Sequence, residues 1–171
     1  MKKAIALALA LILCTPAAPV LASEEGTFTR LGFIKYVFGN VVLGQEEEVE
    51  VTFPDIEKED MHVVAAAVRA KIANGHDDGY FRPDEVITSE QAVAMVIKYL
   101  GLRDHALSLP DELLEGQDIP FWITPYLKWS MTYSEDLMLH FEVGAPASPE
   151  LVEELMKIIK VYKQPTWITP E

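Results

Sequence analysis

The chain repeats itself. Offset by 60 residues, FRPDEVITSEQAV (81–93) falls on FEVGAPASPELVE (141–153), so that Phe81 meets Phe141, Thr88 meets Ser148 and Glu90 meets Glu150. Each segment runs into an apolar pattern of helical spacing. The first pattern is Ala92, Val93, Met95, Val96, Tyr99 and Leu100; the second is Leu151, Val152, Leu155, Ile158 and Ile159. A third, partial copy lies earlier, in FTRLGFIKYVFG, where Thr29 precedes Phe33, Ile34, Tyr36 and Val37. Thr29, Thr88 and Ser148 stand where a side-chain oxygen caps the free N–H groups of a helix start. The later two copies also carry a leading helix, over 61–73 (alanine-rich, apolar along one face) and over 125–133. Each unit therefore reads helix, acidic or glycine-bearing loop, helix. The earliest copy has only its second helix. A two-helix unit cannot bury its apolar face alone, so the copies should pack together. The expected fold is all-α, with helix-loop-helix repeats in a pseudo-threefold bundle.

The remaining organisation follows from the ends. Lys2 and Lys3, an apolar run over 4–14, and Val20 and Ala22 at the small-residue positions form a secretory signal, with cleavage expected after Ala22. The apolar run is about half the ~20 residues of a membrane-spanning helix. Lipid attachment at Cys14 is the alternative, against which Leu13 stands in place of a small residue. The boundaries are then 1–22 signal, 23–52 partial repeat with an acidic linker, 53–107 second repeat, 108–163 third repeat and 164–171 tail.

Cleavage removes the single cysteine and leaves 149 of the 171 residues, enough for one packed core without disulfides. Loss of Lys2 and Lys3 takes the net charge from −13 to −15. Such a chain repels nucleic acid and anionic membranes, so neither is an expected partner, and an anionic ligand needs a local basic pocket. The chain has only four arginines: Arg30, Arg69, Arg82 and Arg103.

The loop NGHDDGYFRPDEVITSEQ (74–91) admits three readings. Laid on a calcium loop, Asn74, His76, Asp78, Gly79, Phe81 and Glu85 fall on positions 1, 3, 5, 6, 8 and 12. His76 then offers nitrogen to a cation that prefers oxygen, and the cap at Thr88 starts the next helix too late. As an active site, Asp77, Asp78, Asp84 and Glu85 could pair for acid–base work, yet the third copy keeps few of these carboxylates. His62, His76, His105 and His140 show no ligand spacing, and there is no G-x-S-x-G or H-E-x-x-H. Neither enzyme activity, metal nor cofactor is expected. The third reading, a repeat hinge, is preferred. Gly75 and Gly79 permit positive φ, Asp77 and Asp78 accept backbone N–H groups, Phe81 plugs the core, and Pro83 stiffens the approach to the second helix.

Residues 53–102, from FPDI through DGYFRPDEVITSEQ to LGL, resemble an S-layer homology domain. DIPFWITPYLKW (118–129) is similar to a variant opening of the same repeat. The resemblance implies a three-pronged helical domain that holds exported bacterial proteins on the cell wall through pyruvylated secondary wall polysaccharide, without covalent attachment. The family's motif supplies an arginine whose guanidinium fork suits a carboxylate. Arg30 stands at that position in the first copy, whereas Ser89 and Pro149 replace it in the others. The ligand-binding residues implied are Arg30 and Trp122, with Asn74, Gly75, Asp78, Gly79 and Thr88 on the loop rim. Arg30 is expected to be exposed and to contribute little to folding.

Trp122 and Trp129, seven residues apart, read as one helix face with core as the default use, Trp122 being the better sugar platform. TWITPE (166–171), with Trp167, echoes FWITPY (121–126) by coincidence, and EEEVE (46–50) is a solvated linker. The function expected is non-covalent wall association of a secreted surface protein. The alternative is a protein–protein module that has lost the sugar and binds another envelope protein or itself.

Overall fold

The computed structural model describes residues 26–39, 52–109 and 118–162. The signal segment, the acidic linker at 46–50 and the tail with Trp167 lie outside them. Among the described residues the protein is all-α: α1 (Arg30–Phe38), α2 (Met61–Arg69), α3 (Ser89–Tyr99), α4 (Arg103–Leu107), α5 (Thr124–Met131), α6 (Leu137–His140) and α7 (Pro149–Tyr162). Among the described residues β-pairing is confined to isolated bridges, Thr29 with Val86 and Thr88 with Pro146.

These bridges chain the repeats together. The Arg30 N–H donates to the Glu85 carbonyl at 2.8 Å, and the Ser89 N–H donates to Ala145 at 2.9 Å. The Ile87 N–H reaches Phe28 at 3.0 Å, and the Ala147 N–H reaches Ile87 at 2.9 Å. Each junction thus repeats the same two backbone bonds. Pro149, at the next equivalent position, has no N–H to donate. The three hydroxyls ahead of α1, α3 and α7 all cap. Thr29 accepts from the Gly32 N–H and Ser148 from the Leu151 N–H, both at 3.1 Å. Thr88 and Gln91 form a reciprocal capping box.

The apolar stripes meet in one core. Phe33, Phe38, Ile87, Ile97, Leu127, Leu137 and Leu155 are fully buried in it. α3 lies at its centre and packs against α4, α5 and α7.

Two helices differ from the expected bounds, for physical reasons. α2 stops at Arg69 rather than running on to residue 73. The Lys71 N–H bonds to Val68 and the Ile72 N–H bonds back to Ala67, with Lys71 at φ 58°. This is the left-handed closure usually built on glycine, and it turns Ile72 into the core. α3 ends the same way, with Gly101 (φ +71°) in the left-handed position and Leu102 bonding back to Ile97. α5 begins at Thr124, so Trp122 is not on its face. Trp129 is 1% exposed and packs in the core, whereas Trp122 is 52% exposed. The short α4 and α6 add turns of helix that no periodicity announces.

Candidate ligand-binding cleft

The loop after α2 is fastened from its own repeat's opening. The Asp55 carboxylate accepts the Phe81 N–H at 3.0 Å and the Arg82 N–H at 2.6 Å. Burial pushes this carboxyl up, but the N–H bonds from Phe81, Arg82 and its own backbone outweigh that and hold it below the ordinary range. Phe53 packs on Phe81 with ring centroids 5.3 Å apart. Gly75 lies beneath Phe53, and a Cβ there would stand 2.3 Å from the Phe53 ring. Only Gly79 of the loop's two glycines takes positive φ, at +83°; Gly75 is required for close approach instead.

Two of the loop's acidic groups, Asp78 and Glu85, face protein donors or cations. Asp78 accepts from Arg82 at 2.8 Å and from the Tyr80 N–H at 3.1 Å, and these bonds, the Arg82 one first, hold its carboxyl low. Glu85 lies 3.6 Å from His76 and 3.9 Å from Arg82. Among the described residues no cluster of three or more His, Cys, Asp or Glu is arranged to hold a metal. No described helix is long and apolar enough to cross a membrane.

Arg30 is not a surface side chain. It is 8% exposed, its guanidinium carbon sits 4.7 Å above the Phe81 ring, and Nη2 donates to the Asn74 carbonyl. The expectation of an exposed arginine is therefore corrected: α1 points Arg30 inward, against the loop of the next repeat. Burial pulls its basicity down, Glu85 restores part, and Arg82 opposes that. One atom stays uncommitted, since Nε is buried without a hydrogen-bond partner.

That side chain lines a cleft of about 220 Å³. Ile72, Ala73, Asn74, Gly75 and His76 form one wall, Gln91, Ala94, Met95 and Lys98 of α3 another, and Trp122 the rim. Four of the residues singled out in the sequence, Arg30, Asn74, Gly75 and Trp122, thus come together. Asp78, Gly79 and Thr88 do not line the cleft: Asp78 pairs with Arg82, Gly79 shapes the turn, and Thr88 caps α3.

Gln91, Ala94 and Lys98 escaped the sequence reading, and Met95 entered it only as part of the apolar pattern. Their spacing (i, i+3, i+4, i+7) is a helical stripe, and attention to the residues beside the apolar stripe would have exposed it. The corresponding arginine position in the second copy, Ser89, is 1% exposed and holds the Ala145 carbonyl through Oγ at 3.4 Å. No cation stands there.

Residues 52–93 match the family model of the S-layer homology domain. No curated protein and no solved structure matches the chain. The matched segment begins beside Phe53, takes in the Asp55 clasp and the loop, and ends within α3. Arg30 and Trp122, which both line the cleft, fall outside it. Domains of this kind serve cell-wall attachment rather than catalysis, and they indicate association with the cell surface. Over residues 52–93, the chain is similar to the S-layer homology domain.

Proposed function

We propose that the protein is exported and held non-covalently on the bacterial cell wall by an acidic saccharide bound in the Arg30–Trp122 cleft. Pyruvylated secondary wall polysaccharide is the ligand this reading favours. One observation carries it: the buried Arg30 guanidinium lines a cleft to which an exposed tryptophan, Trp122, also contributes. A carboxylate suits the guanidinium's charge and donor geometry, and a sugar ring supplies an apolar face for the indole. In a chain of net charge −13, an anion reaches the surface only where cations are concentrated. Asn74, Gly75 and His76 shape the wall of the cleft, while Asp78, Gly79 and Thr88 support it from outside.

Purified wall sacculi should pull the protein down, and sacculi stripped of their pyruvylated polymer should not. Equal capture by both would rule out the acidic polymer as the ligand. The secreted protein should begin at Ser23 by mass spectrometry; an intact Met1 or a lipid on Cys14 would contradict the export route.

A second reading has its own observation. Tyr133 and Tyr162 pack on Trp129 and each other and remain partly exposed, with Val161 beside them 60% exposed. An aromatic surface of this kind suits a protein partner, another envelope protein or a second copy. It takes the lead if intact sacculi fail to bind the protein.

A further inference from the structure

Arg30 does not face the cleft alone. Lys98, two helical turns along α3 from Gln91, lines the same space. Elsewhere Lys35, Arg82, Arg103 and Lys157 each sit on a carboxylate, of Asp60, Asp78, Asp104 and Glu154 respectively. Lys98 is half-buried and has no such partner among the described residues. Burial lowers its basicity, and the positive charges of Arg103 and then Arg30 lower it further. An ammonium held from water near two other cations costs stability unless something negative arrives. A methionine would fill that stretch of α3 at less cost. Placement of the charge there fits a ligand rather than the fold.

We infer that Lys98 is a ligand-contacting residue, whose ammonium joins the Arg30 guanidinium on the acidic group of a saccharide held in the cleft. The inference rests on the acidic-saccharide reading and adds a second cation to it. The two cations have different characters. Arg30 is fixed by the Phe81 ring and the Asn74 carbonyl and offers a rigid donor. Lys98 has a flexible four-carbon stem and three rotatable donors, so it can follow the carboxylate as the sugar settles on Trp122. Selectivity for an acid over its neutral counterpart then comes from both cations, because before the acid binds Lys98 has no carboxylate partner and Glu85 compensates Arg30 only in part.

The test is calorimetric titration with a pyruvate-ketal methyl hexoside and, in parallel, with its carboxyl methyl ester. Wild type should prefer the acid. Lys98→Met should weaken acid binding about tenfold or more, the effect of losing one charge-assisted hydrogen bond, and leave the ester unchanged. Free Lys98→Met should melt no lower than wild type. Lys98→Arg should retain most of the acid affinity. If Lys98→Met binds the acid as tightly as wild type, or loses acid and ester alike while melting lower, Lys98 is structural and the inference falls alone. If wild type binds neither probe, or both equally, the acidic-saccharide reading falls and takes the inference with it.

Discussion

The two described repeat junctions share a backbone and differ in what they carry. At the first, the Arg30 N–H donates to the Glu85 carbonyl; at the second, the Ser89 N–H donates to Ala145. The main-chain bonds are alike to within 0.1 Å, at 2.8 and 2.9 Å. The side chains diverge. Arg30 crosses to Phe81 and Asn74 and lines a cleft, while Ser89 spends its hydroxyl on the same Ala145 carbonyl that its own N–H already uses. The repeat fold is thus written into backbone N–H groups, which every residue except proline provides. The side chain at that position is free to be a binding group or a plug.

The strongest way to break the equipped junction is from beneath. Gly75→Ala places a Cβ 2.3 Å from the Phe53 ring, so Phe53 must leave Phe81 or the loop must shift. We expect a loss of about 1–3 kcal/mol, the usual cost of overpacking, seen as a lower denaturant midpoint together with loss of wall binding.

Arg30→Ala comes next. It removes the stacking on Phe81 and the bond to the Asn74 carbonyl, at a cost of about 1–2 kcal/mol. Chemical denaturation should show this loss. Ser89→Ala, deleting one weak bond, should cost less than about 0.5 kcal/mol. Equal costs would mean that the junctions do not differ as described.

Acid should open the first junction through Asp55. Its folded carboxyl lies below the ordinary value, so the clasp on Phe81 and Arg82 contributes stability above the unfolded carboxyl's pKa of about 4. That contribution is lost as pH falls through the lower folded value. Melting followed by circular dichroism should show the decline, and Asp55→Ala should be less stable near neutrality and shed less on acidification.

Much of this was legible in the chain because the signals are short-range. A capping hydroxyl and the helix it starts lie within three residues of each other, so Thr29, Thr88 and Ser148 could be aligned by eye. The end of α2 was not legible, because Lys71 occupies the left-handed position where Gly101 marks the end of α3. Nor was the split between Trp122 and Trp129, since the burial of Trp129 depends on distant partners such as Tyr162. The burial of Arg30 requires Asn74, 44 residues away, and Lys98 meets Arg30 only once α1 and α3 are docked. Long-range placement is what a periodic pattern does not carry.

The smallest effect expected is a gain. Lys71→Gly relieves a left-handed lysine and should stabilise the protein by about 0.5 kcal/mol, after the greater freedom of glycine in the unfolded chain is subtracted. A loss instead would place some compensating contact at Lys71.

The most direct test of the central claim, that only the arginine-bearing junction of the two binds the wall, is a parallel sacculus-binding isotherm for wild type, Arg30→Ala, Arg30→Lys and Ser89→Ala. The account predicts that Arg30→Ala weakens binding about ten- to hundredfold. Arg30→Lys should recover part of this, and Ser89→Ala should match wild type. Wild-type affinity in a folded Arg30→Ala protein, or a loss in Ser89→Ala as large as that in Arg30→Ala, would contradict it.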